Sequence, residues 1–385
     1  MSDPQRIVNV GLIGVGNFAR WQHLPNLARI RECRLRALCD VKPQTLHDAA
    51  ARYPVDYTTQ DARRVFDDPE IDVVVIAVRD DLQPAMSIEA LRAGKHVYVE
   101  KPLGTCPDDC ARVAEAQRQS GRSLAVGFNR RYAPIYRRLK EVVDSSGGCF
   151  NVHCRMTDDA WRWASGYPPG YLLHLDACHL LDLLRWQTGA EIESVYCIGS
   201  RAEDDCLAVR MSNGCVASIQ FSGNGTIDMP KEETNVITQR GGATALDFVE
   251  LRTFGLPDFP AVQRFAGHAH PRGEYLPVAL LARQGFPGFL DVRRTIWELR
   301  QQVEQGEHRD RPDAEQIERC LPDALPNFMR DQGWLASLRA FVVGVRDGTA
   351  TQHAGAIDAL QASRATLAAQ RSRQSGQVVR LEEID

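Results

Sequence analysis

The chain lacks the long apolar runs and the basic excess that mark two large classes of protein. No window of about 18 consecutive apolar residues occurs, so no membrane-spanning helix is expected. The 46 Lys and Arg residues are outnumbered by 50 Asp and Glu residues, which leaves a net charge of −4. Nucleic-acid-binding domains usually carry a basic excess. We therefore expect neither a membrane protein nor a nucleic-acid binder.

Closely paired cysteines are also missing. The 11 cysteines are scattered and odd in number, and no Cys-x-x-Cys unit occurs. Structural zinc sites need tightly spaced ligand pairs, so we predict no metal site. The first six residues lead directly into an apolar run, and we expect no secretory signal there. The prediction is a cytoplasmic protein whose cysteines are free thiols in a reducing compartment.

Apolar segments alternate with segments of helical spacing through residues 1–130. The run Ile71–Val78 is almost wholly apolar, as expected of a strand covered on both faces. This alternation predicts an α/β domain with a parallel, doubly wound sheet. The predicted strands are Ile7–Ile13, Leu35–Cys39, Ile71–Val78, His96–Val99 and Ser123–Phe128, and the predicted helices are Asn17–Arg31, Val41–Tyr53, Gln83–Ala93 and Pro107–Ser120.

After Arg130 the pattern changes to a few helices and many short strands. The pair Asn213-Gly214 between two strand-like runs is a strong hairpin signal. Residues 131–385 are therefore predicted to form an α+β domain with an antiparallel sheet, a Pro-rich insertion at about 255–327 and closing C-terminal helices. The predicted elements include a single helix Leu172–Thr188, a single strand Ala243–Phe254, an insertion helix Val292–Glu304 and closing helices Gly333–Arg346 and Ala356–Arg371.

The sharpest motif is GLIGVGNFA, which begins at Gly11. Gly14 permits a tight turn, Gly16 lets backbone approach a pyrophosphate, and Ala19 allows a helix to pack closely on the strand. A second strand ends in Asp40, whose carboxylate suits the ribose hydroxyls of NAD and repels a 2′-phosphate. Lys42 stands two residues further on and leaves NADP possible. The motif predicts dinucleotide binding, with NAD preferred.

A second motif, Glu100-Lys101-Pro102, follows a strand of the same predicted sheet. Doubly wound sheets bind ligands at the carboxyl ends of their strands. Lys101 could there reach a substrate oxygen and stabilise developing negative charge. The alternative is a solvated surface lysine.

The third motif lies in the helix predicted at Leu172–Thr188. Asp176, His179 and Asp182 are spaced three apart, so they would share one helix face. A histidine between two acids suits acid–base chemistry. The alternative is that the acids, Asp182 above all, only brace the helix. His174 could join Asp176 and His179 as a metal ligand, but no further cluster supports this.

Taken in order, these motifs resemble those of the glucose–fructose oxidoreductase, inositol dehydrogenase and MocA (Gfo/Idh/MocA) family. The resemblance runs from Val8 to about Phe254 and again from Phe328 to Leu381, and it leaves the insertion unmatched. It implies a Rossmann domain followed by a domain with an open, mainly antiparallel sheet, assembled as a homodimer or homotetramer. The implied cofactor residues are Gly14, Gly16, Asn17, Phe18, Ala19, Asp40, Ala77, Val78, Arg79, Glu100, Lys101 and Asn129.

The family's chemistry implies an NAD-dependent oxidoreductase that interconverts a secondary alcohol and a ketone on a sugar, sugar-nucleotide or cyclitol ring. Lys101 would lie near the reacting carbon, and His179 would be the acid–base. Many members carry Asp four residues before this histidine, where this chain has Leu175; here the acid is Asp176. Asp176 would then orient His179 or bind a neighbouring hydroxyl.

Aromatic rings stack on sugar faces, and four residues near the helix motif are predicted to line the substrate site: Arg155, Trp161, Trp163 and His174. An alternative function is an NAD-dependent glycoside hydrolase or lyase. Such an enzyme oxidises the sugar transiently, eliminates the glycoside and recovers its cofactor.

Overall fold

The computed structural model describes residues 5–265 except 165, 169, 202 and 227, then 278–314 except 311 and 313, then 330–349 and 352–384. The backbone groups into two units. One comprises the residues up to Asn129 together with Gly333–Arg364, and the other comprises the described residues of Arg130–Gln332 and Ala365–Ile384.

The first unit contains six parallel strands in the order β3-β2-β1-β4-β5-β6, so the predicted doubly wound sheet is confirmed. Its central strand β4 is buried on both faces, because every residue of Val73–Ile76 is fully covered. The strands are β1 (Val8–Ile13), β2 (Cys33–Cys39), β3 (Tyr57–Thr59), β4 (Val73–Ile76), β5 (His96–Val99) and β6 (Leu124–Val126). The helices are α1 (Leu24–Leu27), α2 (Pro43–Ala50), α3 (Ala62–Phe66), α4 (Gln83–Arg92) and α5 (Pro107–Ser120).

The second unit contains a nine-stranded sheet in the order β14-β13-β12-β11-β7-β10-β9-β8-β15. All neighbouring pairs are antiparallel except β7 with β10, which agrees with the mainly antiparallel prediction. The strands are β7 (Asn151–Thr157), β8 (Ile192–Arg201), β9 (Asp204–Met211), β10 (Val216–Ser222), β11 (Glu232–Ile237), β12 (Gly242–Leu246), β13 (Glu250–Phe254), β14 (Val262–Arg264) and β15 (Val379–Arg380). The helices before the insertion are α6 (Pro134–Ser145), α7 (Ala160–Trp163), α8 (Leu172–Leu175) and α9 (Ala177–Thr188).

One face of this second sheet carries its core. Along β7 the residues Val152, Cys154 and Met156 are buried in one apolar cluster with Leu139 of α6 and Leu180 of α9. The intervening residues of β7 point to the other face, since side chains alternate along a strand. Helix α9 is therefore held on the covered face.

Three further helices complete the described chain: α10 (Val278–Gln305), α11 (Trp334–Asp347) and α12 (Ala356–Ser375). In α10 the backbone is not helical at Gly285, two residues before Pro287, and the predicted insertion helix is only its C-terminal part. The remainder of the predicted insertion, 266–277 and 315–327, lies outside the described residues.

The closing helices were predicted to belong with residues 131–385, but α11 groups with the first unit. The reason is its apolar side. Leu338, Phe341 and Val342 are buried with Val8 and Tyr98 of the Rossmann sheet. The apolar side of α11 therefore packs within the core of the first unit.

The cysteines of the described chain are all free. Burial raises the pKa of Cys154 to about 12, which suits a small core side chain rather than a reactive thiol. No helix among the described residues has the length and apolarity of a membrane span. Within the same residues, no three His, Cys, Asp or Glu side chains form a group that could hold a metal ion.

Candidate active site

The two glycines after β1 meet different surroundings. Gly14 has a φ of +88°, and a Cβ placed on it would lie 2.3 Å from the carbonyl oxygen of Ala77. A Cβ on Gly16 would meet nothing within 4 Å. Gly14 is thus required by the packing of the turn, and Gly16 leaves open space beside it. Such space is what a pyrophosphate needs to approach the backbone.

The helix predicted at Asn17–Arg31 is shorter and differently wound. A π-helical turn covers Ala19–His23, and α1 adds only Leu24–Leu27. Asn17 and Phe18 are exposed beside the glycine turn, whereas Ala19 is buried as predicted for close packing. π-Helical turns are rare and are frequent at functional sites.

Asp40 lies at the end of β2 and is tied to the glycine turn. One carboxylate oxygen accepts the N–H of Val15 at 2.8 Å, and the other accepts the N–H of Lys42 at 2.8 Å. The acid therefore braces the turn and stays half-exposed. A carboxylate held there can still accept ribose hydroxyls with its remaining lone pairs.

The other predicted cofactor residues follow β4, β5 and β6. Parallel neighbours end at the same edge of a sheet, so these residues share one edge with Gly14 and Asp40. Arg79 turns outward, where its guanidinium donates to Asp81 and lowers the pKa of that carboxyl. The residues that end these strands are Ala77, Val78 and Arg79 after β4, Glu100 and Lys101 after β5, and Asn129 after β6.

Glu100 lies at the end of β5 and is enclosed by the chain. Its side chain is buried rather than directed at an open surface, and one oxygen lies 3.0 Å from Nε2 of His23. Sequence reasoning missed His23 altogether. The only signal was a histidine on the helix after a glycine turn, and no spacing links it to an acid 77 positions later.

In the second unit, Asp176 lies at a break in the predicted helix, three residues before His179. The backbone of Asp176 has a φ of −119° and separates α8 from α9. The N–H of His179 donates to the carbonyl of Asp176 at 3.1 Å, and both side chains are buried. A buried imidazole can take part in proton transfer.

Asp182 has a different role from its neighbours on α9. Its two carboxylate oxygens accept Nε and an Nη of Arg131 at 2.8 and 2.5 Å. Both residues are buried, so this bidentate pair is part of the core. This geometry favours the alternative in which Asp182 only stabilises the helix.

A second buried pair joins Arg130 to Glu232 at the start of β11. Tyr136 donates its hydroxyl to the same Glu232 at 3.1 Å. Burial lowers the pKa of Arg130, but Glu232 more than compensates and raises it above its ordinary value. Neither residue was predicted, because the partners are far apart in the chain.

The predicted substrate residues lie on three elements, β7, α7 and α8. His174 is buried on α8, with Nδ1 3.3 Å from the hydroxyl of Thr366. Trp161 on α7 is 57% exposed and donates Nε1–H to the carbonyl of Gly225 at 2.9 Å. The side chain of Trp163 lies outside the described part of the structure.

Arg155 lies on β7 and points away from the core. It follows Cys154 and precedes Met156 on β7, and both of these point into the core beneath α9. Arg155 therefore faces the opposite side of the sheet from His179. Its guanidinium donates to the carbonyl of Pro230 at 3.2 Å and to Glu233 at 3.4 Å.

Comparison with known proteins gives three kinds of match. The family model GFO_IDH_MocA, described as an oxidoreductase family with an NAD-binding Rossmann fold, matches residues 8–128. An inositol 2-dehydrogenase of Acidothermus cellulolyticus is 31% identical over 310 residues, which cover 76% of this chain and 84% of that protein. An uncharacterized oxidoreductase of Bacillus subtilis is 30% identical over 200 residues, which cover 49% of this chain and only 56% of that relative.

Among solved structures, scyllo-inositol dehydrogenase from Lactobacillus casei with bound NAD(H) and scyllo-inositol matches with a TM-score of 0.71. The match covers 98% of this chain and 100% of that chain at 21% sequence identity. At this identity the likeness supports the fold.

Proposed function

Because this chain belongs to the Gfo/Idh/MocA oxidoreductase family, we propose that it is an NAD-dependent dehydrogenase acting on a ring hydroxyl. The reaction is interconversion of a secondary alcohol and a ketone on a cyclitol, sugar or sugar nucleotide. The observation that carries the proposal is the carboxyl edge of the Rossmann sheet, where Gly16, Asp40 and Lys101 end three strands of one sheet.

The residues at this edge fit a dinucleotide. The open space beside Gly16 would receive the pyrophosphate, and Asp40 would accept the ribose hydroxyls. A carboxylate at this position repels a 2′-phosphate, so NAD is the preferred cofactor, and Lys42 leaves NADP usable. Bound NAD supplies the hydride acceptor.

The protein's own groups would handle the oxygen and its proton. In the oxidation direction His179 accepts the hydroxyl proton as general base. Lys101 donates to the same oxygen and stabilises the negative charge that develops on it. Asp176 orients His179 or accepts a hydrogen bond from a neighbouring hydroxyl of the ring.

Lys101→Ala tests the assignment directly. We expect the variant to lose turnover while retaining NAD affinity, because the lysine acts on the substrate oxygen and the glycine turn holds the dinucleotide. Turnover is followed by NADH absorbance on a panel of free sugars, sugar nucleotides, cyclitols and glycosides, and NAD binding by calorimetry. Lys140→Ala, which removes an ion pair with Asp144 on α6, is the control and should keep turnover.

Two outcomes would change the assignment. Near-normal turnover of Lys101→Ala would remove the lysine from the reacting centre. Cleavage of a glycoside at constant NADH, seen by product chromatography, would instead support the redox-neutral hydrolase or lyase.

The partner proposed for the second sheet is another copy of this chain. The outward positions of β8, β9 and β10 are exposed, among them Ile198 and Val216 at 57% and 41%. A sheet with one covered and one open face offers a self-complementary surface, and twofold dimers are the commonest oligomers. We therefore propose a homodimer, or a homotetramer built from such dimers.

A further inference from the structure

The carboxylate of Glu100 is held on several sides at the end of β5. His23 approaches one oxygen at 3.0 Å, and the other oxygen accepts the N–H of Lys101 at 3.3 Å. Gly127 lies beneath, and a Cβ there would come within 2.7 Å of the carboxylate. A buried carboxylate is costly unless it is paired, which favours keeping the ring of His23 close to Glu100.

The ring of His23 is fixed in turn by its neighbours. It makes edge contacts with Phe18 at 5.4 Å and with Tyr98 at 6.0 Å between ring centroids. The hydroxyl of Tyr98 lies 3.1 Å from that of Ser337, which anchors this ring to α11. Phe18 belongs to the turn beside Gly16, so contacts run without a gap from the glycine turn to Glu100.

We infer that His23 positions Lys101 by holding the Glu100 carboxylate, and so ties the helix after the glycine turn to the turn that carries Lys101. The inference rests on the proposed role of Lys101. His23 is a positioning residue, because it touches Glu100 and acts on the lysine only through it. Small displacements of a reacting group are expensive, since a shift of about 1 Å can lower turnover about a hundredfold.

The composition of the chain allows a direct readout of the lysine. Only five lysines occur, at positions 42, 95, 101, 140 and 231. Reductive methylation with ¹³C-formaldehyde labels the accessible lysines and the N-terminal amine for NMR, and Lys101→Arg identifies the signal of Lys101. In the wild type this signal should move when NAD is added.

His23→Leu removes the ring nitrogen that lies 3.0 Å from the Glu100 carboxylate, and His23→Gln keeps a polar group at a similar reach. We expect His23→Leu to shift the Lys101 signal in the absence of NAD and to lower kcat about tenfold to hundredfold. His23→Gln should restore both. The matched control is His96→Gln, the same substitution at the other end of β5, where the ring accepts the N–H of Ser123 at 3.1 Å.

A second variant and a stability measurement distinguish a local effect on Lys101 from unfolding of the protein. Glu100→Gln keeps the shape of the side chain, and thermal unfolding shows whether each variant is intact. Lys101 signals identical in the wild type, His23→Leu and Glu100→Gln would overturn the inference. Failure of the proposed function gives a different result, because the Lys101 signal would then shift in the NAD-free variants while no substrate is turned over.

Discussion

Gly14 and Gly16 stand two residues apart and make different demands on a side chain. An alanine at Gly14 combines a φ of +88° with a Cβ 2.3 Å from a backbone carbonyl, and neither can relax without moving β4. We expect Gly14→Ala to lower the free energy of unfolding by about 2–5 kcal/mol. Urea denaturation followed by circular dichroism measures this.

Gly16→Ala should behave in the opposite way. Its Cβ meets nothing within 4 Å, so the free energy of unfolding should change by less than about 0.5 kcal/mol. NAD affinity, measured by calorimetry, should nevertheless fall, because the methyl group would occupy the space of the pyrophosphate. Equal destabilisation by both variants, or unchanged NAD affinity in Gly16→Ala, would contradict this account of the turn.

At the scale of the element, α9 depends on the pair between Asp182 and Arg131. Removing one member of a buried ion pair leaves an unpaired charge, so Asp182→Ala should lower the free energy of unfolding by about 3–5 kcal/mol. The exposed pair of Glu115 and Arg118 is the control. Glu115→Gln should leave the urea midpoint of unfolding nearly unchanged, because an exposed ion pair contributes little.

A double variant separates burial from charge. Asp182→Leu combined with Arg131→Met replaces the pair with apolar side chains of similar size, which is often neutral or stabilising. We expect it to recover most of the stability lost in Asp182→Ala. A double variant as unstable as the single one would show that the pair also fixes the course of the chain.

The elements of the Rossmann sheet could be predicted because their signals are local. Four consecutive apolar residues in Val73–Ile76 indicate a strand covered on both faces wherever it stands. The predicted strand Ala243–Phe254 failed for the opposite reason. Asp247 and Phe248 adopt φ values of +42° and +67° and divide it into β12 and β13, although no glycine marks the turn.

The candidate site likewise contains parts with a local sequence signal and parts without one. The glycine turn and Asp40 lie within one βαβ unit, so their spacing in the chain carries the prediction. Equal spacing on a helix did not separate the roles of His179 and Asp182. The residue that distinguishes the two roles is Arg131, which pairs with Asp182. It lies 51 residues before Asp182 in the chain, and only folding brings the two together. The predicted single helix is also interrupted at Asp176. No residue pattern reveals the backbone conformation that divides it there.

For the whole molecule, the open face of the second sheet predicts self-association. β9 exposes every second residue, and the adjoining strands add Ile198 and Val216. A stable dimer needs about 800 Å² from each partner, which a face of several strands can supply. Val216→Glu places a charge at this face without touching the core, so we expect the thermal midpoint to stay within about 2 °C.

Sedimentation velocity measures the oligomeric state and tests the role of this sheet face. The wild type should sediment as a dimer or tetramer of the 43.0 kDa chain, and Val216→Glu should shift it to monomer. Ile357→Glu is the control, because Ile357 is 58% exposed and lies at the start of α12, outside the sheet. A monomeric wild type, or a Val216→Glu variant that sediments unchanged, would remove this face as the oligomer contact. Dissociation by both variants would mean that charge alone, rather than the sheet face, controls association.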